Sequence, residues 1–120
     1  MAYQSFEDLD VWKRSTRLSI DLINHLAKCN DYSFKNQLLR SAISIPSNIA
    51  EGAERQSDNE FKYFLNVAKG SAAELRTQLY IGMQTKLVDE KVSKNMIKEL
   101  KELSSMLHGL IKSLDKKLKS

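Results

Sequence analysis

The sequence predicts an all-α domain, an up-down-up-down four-helix bundle spanning residues 1–120, and three observations carry that expectation. Apolar residues recur at spacings of three and four in four successive segments. Only four Gly and one Pro, Pro46, occur in 120 residues, which leaves little material for strands joined by tight turns. The segments are separated by short polar runs, with no long linker and no low-complexity tract.

The first helix is expected from about Asp8 to Lys28, with Leu9, Trp12, Thr16, Ile20, Ile23 and Ala27 as its inward stripe. Asn30-Asp31-Tyr32-Ser33 reads as the turn that follows it. The second helix covers about Lys35 to Ala53, with Leu38, Ala42, Ile45, Ile49 and Ala53 on one side. Pro46 falls in its middle, and because the periodicity continues through it, one kinked helix is expected rather than two.

Ser57-Asp58-Asn59-Glu60 has the form of a capping box and starts the third helix, which runs to about Thr85. Phe61, Phe64, Leu65, Ala68, Ala72, Leu75 and Leu79 point it inward, and the small residues of 68–73 suggest a close helix crossing. Asp89 caps the fourth helix, where Ile97, Leu100, Leu103, Leu107, Leu110, Leu114 and Leu118 keep the pattern. Four such amphipathic helices must bury their stripes against one another, and a bundle does so most simply. Trp12, Ile23, Leu38, Ile45, Ile49, Phe64, Leu75, Leu79, Leu100, Leu107 and Leu114 form the expected core.

Two helices carry more apolar surface than a lone bundle needs. The first has a second stripe, Val11, Leu18, Leu22 and Cys29, about a third of a turn from the first. The third has Tyr63, Val67, Tyr80 and Ile81 beyond its inward set. Val11, Leu18, Leu22, Tyr63 and Val67 are therefore expected to form an interface between copies of the chain.

The net charge of +4 is unevenly spread: residues 87–120 hold eight basic and five acidic side chains, an excess of three. Lys112, Lys116, Lys117 and Lys119 close that segment. They either complement the dipole of a helix C-terminus or meet an anionic partner, RNA or DNA. The start of the chain lacks the basic-then-apolar pattern of a signal peptide, and no stretch nears the roughly 20 apolar residues of a membrane span. With a lone cysteine, Cys29, a reducing cytoplasm is the expected setting and a membrane partner is not.

Several motifs together resemble a known family. Phe6-x-x-Leu9-x-Val11-Trp12-Lys13 opens the match, which tightens over residues 37–52 around Ser44-Ile45-Pro46-Ser47-Asn48-Ile49-Ala50-Glu51-Gly52. It continues through Arg55, Ser57, Glu60-Phe61, Phe64-Leu65, Ala68-x-Gly70-Ser71, Glu74-Leu75 and Gln78-Leu79. The chain so resembles the bacterial 23S rRNA intervening-sequence proteins, also called S23 ribosomal proteins. Lys86-Leu87-Val88 departs from the glycine-tyrosine turn more usual there.

The resemblance implies a four-helix bundle that assembles into a ring, a pentamer, encoded in insertions within ribosomal RNA genes. The family is also similar in fold and assembly to the accessory variability protein of diversity-generating retroelements. No catalytic activity comes with the resemblance. Of the matching polar residues, Gln37, Arg40, Asn48 and Glu51 lie on the second helix, and Ser71, Glu74 and Gln78 on the third. They form either an internal polar network that fixes register or a partner site on the bundle wall. Within the network, Arg40 and Glu74 are expected to pair between helices.

Catalytic and metal chemistry find little footing. His25 and Cys29 are four apart, but two ligands do not make a zinc site, and neither His25 nor His108 follows a glutamate by three residues. The four glycines are too dispersed to cradle a phosphate. No cofactor or metal is expected. The leading expectation is a non-catalytic oligomeric scaffold or accessory factor associated with nucleic acid. A protein-interaction module without nucleic acid is the alternative, and a small-molecule-binding or enzymatic bundle the third class.

Overall fold

The computed structural model describes residues 5–119. Phe6–Asp8 form a single 3₁₀ turn, capped by Ser5, ahead of four helices: α1 (Asp10–His25), α2 (Tyr32–Ala53), α3 (Asp58–Gln84) and α4 (Glu90–Leu118). Among the described residues there is no strand. Each helix packs beside its sequence neighbour, and α4 closes the square against α1, with no α1–α3 or α2–α4 pairing. Contacts between neighbours run antiparallel: Ser44 meets Ser71 while Gly52 meets Phe61 and Phe64, and Lys62 meets Asp115 while Lys69 meets His108. The result is the expected up-down-up-down four-helix bundle, about 50 × 20 × 20 Å.

Helix starts follow their capping chemistry. Asp31, Ser57 and Asp89 each accept an orphan amide of the first turn, from Phe34, Glu60 and Val92. Asp31 thus begins α2 within the turn expected at residues 30–33 and ahead of the expected start near Lys35, since Tyr32 and Ser33 are already helical. α2 runs unbroken through Pro46. Proline lacks the N–H that would bind the carbonyl of Ala42, and the Ser19 hydroxyl of α1 donates to that oxygen instead, at 3.0 Å.

The bond identifies which side of α1 faces inward, and it corrects the expectation. Val11, Ser15, Leu18, Ser19, Leu22 and Leu26 are buried, so Val11, Leu18 and Leu22 belong to the bundle core and not to an interface between copies. Ile20 (54% exposed) and Ile23 (43%) lie outside, with Trp12 half-buried beside the bundle. Ser15 and Ser19 are both small and buried on this side, and the Ser19 hydroxyl touches α2 directly. On the other helices the inward residues are largely the expected ones, among them Leu38, Ile45, Ile49, Leu65, Leu75, Leu79, Leu100 and Leu107.

Close approach of α2 and α3 depends on Gly52. A Cβ there would lie 2.7 Å from Cβ of Phe64 and 3.2 Å from the Phe61 carbonyl oxygen. In the small-residue stretch of α3, Ala68, Ser71 and Ala72 face inward, whereas Gly70 faces open space and takes no part.

Candidate nucleic-acid interface

α4 turns Ser93, Met96, Ile97, Leu100, Leu103, Leu107, Ile111 and Leu114 towards the core. Opposite them runs a second three-four pattern: Lys91, Lys94, Lys98, Lys101, Ser105, His108, Lys112, Lys116 and Lys119, all exposed. At about 100° and 1.5 Å per residue these positions fall within roughly 100° of arc and extend about 42 Å. The gap between Lys101 and Lys112 is not empty of charge. Lys69 of α3 donates from Nζ to Nδ1 of His108 at 3.3 Å, since an ammonium can only donate, and so places its cation at that level.

Three of the acids that flank this row, Glu99, Glu102 and Asp115, are engaged from other helices. Arg14 of α1 forks onto Glu99, Nε to Oε2 at 2.8 Å and Nη2 to Oε1 at 2.6 Å, and reaches Glu102 at 2.7 Å. The hydrogen bonds to Glu99 and then Glu102 raise the guanidinium above its already high range. The same contact holds the Glu102 carboxyl below its ordinary value. Lys62 of α3 bonds Asp115 at 2.7 Å and lowers that carboxyl likewise. Glu90 pairs with Lys94 at 2.9 Å. Lys91, Lys98, Lys101, Lys112 and Lys119 make no ion pair among the described residues.

Of the four lysines expected to bind nucleic acid, Lys112, Lys116 and Lys119 stand on this row. Lys117 does not: it lies about a third of a turn away and pairs with Asp58 at the start of α3, at 3.1 Å. Lys91, Lys94, Lys98 and Lys101 extend the row beyond the expectation. Their spacing was the available signal, hidden because Lys98 and Lys101 alternate with Glu99 and Glu102 and suggest self-neutralising ion pairs.

The polar residues shared with the family resolve into separate groups. Ser71 exchanges a 2.8 Å hydrogen bond with Ser44, whose hydroxyl and carbonyl both accept from the Asn48 amide. Ser44, missed in the sequence, is the hub of this small network. The expected Arg40–Glu74 pair is absent: both are exposed, on the sides of α2 and α3 turned from the core, and neither has a partner among the described residues. Gln37 is exposed as well, and Gln78 keeps a buried Oε1 with no partner. Glu51 bonds within its own stretch, to Arg55 at 2.8 Å.

A second surface is apolar. Ile20 and Ile23 are exposed on the outer side of α1, and the half-buried Trp12 and Thr16 precede them at spacings of four. On α3, Tyr63 is 62% exposed, in a T-shaped contact with the Phe64 ring, and Val67 is half-buried, so these two keep an outward position. His25 ends α1 and Cys29 falls in the following turn, so they do not share a helical face. Among the described residues no group of three or more His, Cys, Asp or Glu could hold a metal ion, and no helix is long and apolar enough to cross a membrane.

Comparison with known proteins agrees with the motifs. The fold is similar to the crystal structure of a protein of unknown function from the S23 ribosomal protein family of Bacteroides thetaiotaomicron, with a TM-score of 0.79 and 24% identity. The similarity covers 85% of this chain and 98% of that one. No curated protein matches the sequence. The family model described as 23S rRNA-intervening sequence protein matches residues 7–109, most of the bundle, and the chain belongs to that family.

Proposed function

We propose that the chain is a non-catalytic oligomeric scaffold or accessory factor of the cytoplasm that associates with nucleic acid along the outer face of α4. The lysine row carries this reading. Glu99, Glu102 and Asp115 are bound from other helices by Arg14 and Lys62, while Lys94 within the row pairs with Glu90, so the face presents a line of ammonium groups with Lys94 partly neutralised. Such a line suits phosphates, which lysine meets as point charges, and offers no paired groups to read bases. Membership of a family named for 23S rRNA insertions makes RNA the natural first partner to test.

Assembly multiplies the effect. The outer face of α1, with Tyr63 and Val67 of α3, supports a closed homo-oligomer, and five is the number that the resemblance implies. A ring would repeat the row around one axis and convert weak contacts into avidity.

The test is binding of unrelated RNA and DNA oligomers across a salt series. Log affinity should fall with log salt at about −0.7 to −0.9 per phosphate contacted. Replacing Lys98, Lys112, Lys116 and Lys119 with Gln should weaken all ligands together and flatten the slope, with the oligomer intact. Unchanged affinity would move the site off α4. No binding by the wild type at low salt would favour the second reading, a protein-interaction module whose partner docks on the exposed Ile20 and Ile23 beside the half-buried Trp12.

A further inference from the structure

Between α1 and α4, the neighbouring helices that approach least closely, lies an open groove of about 530 Å³. That volume is within the range of about 300–1,000 Å³ typical of small-ligand sites. Its floor is apolar: Leu18 and Met96 are buried and Val92 is half-buried. Its rim is polar, and Arg17, Asp21, Lys91 and Asn95 there have no hydrogen-bond or ion-pair partner among the described residues. The bridge from Arg14 to Glu99 closes one end. Lys91 belongs both to this rim and to the lysine row, so a phosphate chain that follows α4 passes the mouth of the groove.

We propose that the α1–α4 groove takes one unstacked nucleotide of a single strand, its base laid on Leu18, Val92 and Met96. The proposal rests on the nucleic-acid reading above and gives it a strand preference. A splayed base needs an apolar surface for its face and hydrogen-bonding groups for its edge. The floor offers the first. The Asn95 amide, donor and acceptor both, and the acceptor-only Asp21 carboxylate offer the second. Arg17 adds a planar cation that can stack on a base or hold its phosphate, and Lys91 a point charge for the next phosphate. Asp21 would repel a bare phosphate, and it accepts from the exocyclic amine that adenine, cytosine and guanine carry and uracil lacks. A duplex keeps its bases paired and cannot use the groove.

The experiment compares single-stranded RNA oligomers, adenine-rich and uracil-rich, with an RNA duplex of equal length. The wild type should favour the adenine-rich strand over the duplex by on the order of tenfold, a gain consistent with one stacked base. In Asp21→Ala/Asn95→Ala that advantage should disappear while duplex binding is kept. Both side chains are exposed and unpartnered, and helix content checks that the variant folds. Equal wild-type affinity for single strand and duplex, or a double variant that keeps the advantage, would overturn the groove while leaving the lysine row in place. Loss of every ligand in the four-lysine variant, with the groove variant binding duplex normally, assigns the two sites separately. A wild type that binds no RNA at low salt overturns the groove together with the reading on which it rests.

Discussion

Pro46 has no amide hydrogen, so the Ala42 carbonyl four residues earlier would be left unpaired inside the bundle. The Ser19 hydroxyl satisfies it, shared with the carbonyl of Ser15, each at 3.0 Å. Ser19→Ala should therefore cost about 1–3 kcal/mol, the penalty of a buried acceptor left without a donor. Urea unfolding measures it, and a change within error would remove the role assigned to the hydroxyl. Lys86 shows the opposite situation. It holds φ at 64°, the left-handed position after the α3 C-cap, while Leu87 N–H returns to the Gly82 carbonyl at 2.9 Å and Lys86 N–H to Met83. A side chain there is strained where glycine would not be. Lys86→Gly should stabilise the chain by about 0.5–1 kcal/mol, seen as a higher thermal midpoint. Lys86 was legible in the sequence as a departure from the family's glycine turn. Ser19 was not, because its acceptor lies 23 residues away and no local pattern links them.

At the scale of elements, α2, α3 and α4 were legible because each has one dominant apolar side. α1 has two, and hydrophobicity alone favoured the one with Trp12, Ile20 and Ile23. The other side holds Ser15 and Ser19, both small and buried, and Ser19 is equipped for the carbonyl that proline frees. Arg40 and Glu74 failed for a related reason: antiparallel register brings them level, but level residues meet only if both face the seam, which Ser44 and Ser71 occupy. Gly52 makes that seam narrow, and Gly52→Ala should destabilise by about 1–3 kcal/mol because the obstacles include backbone and Cβ atoms that cannot swing away. Where α1 meets α4, the Arg14 fork should make stability depend on pH. Glu102 has its folded pKa lowered, so its contribution is present above the ordinary carboxylate value, near 4, and is lost as pH falls through the folded value. Arg14→Gln should therefore lower the urea midpoint at pH 7 and make little difference at pH 2. An equal loss at both would mean that the arginine acts through packing alone.

For the whole molecule, the two stripes of α1 give the assembly prediction its contrast. Val11 and Leu22 are core residues, so Val11→Glu/Leu22→Glu would bury two carboxylates without partners and should unfold the bundle, with loss of helix content. Ile20 and Ile23 are about half exposed, so Ile20→Glu/Ile23→Glu should leave the single bundle intact. If the outer face of α1 joins copies of the chain, that second pair alone should reduce the mass measured by light scattering while circular dichroism stays helical. Nucleic-acid affinity should fall in parallel, because dissociated subunits each keep the α4 row but lose the avidity of several rows held together. The loss should be steeper for long strands, which can span subunits, than for oligomers short enough to contact one row. A wild type that is monomeric at micromolar concentration would end the assembly reading. A double variant that keeps the wild-type mass would place the interface elsewhere, with Tyr63 and Val67 of α3 as the next residues to substitute.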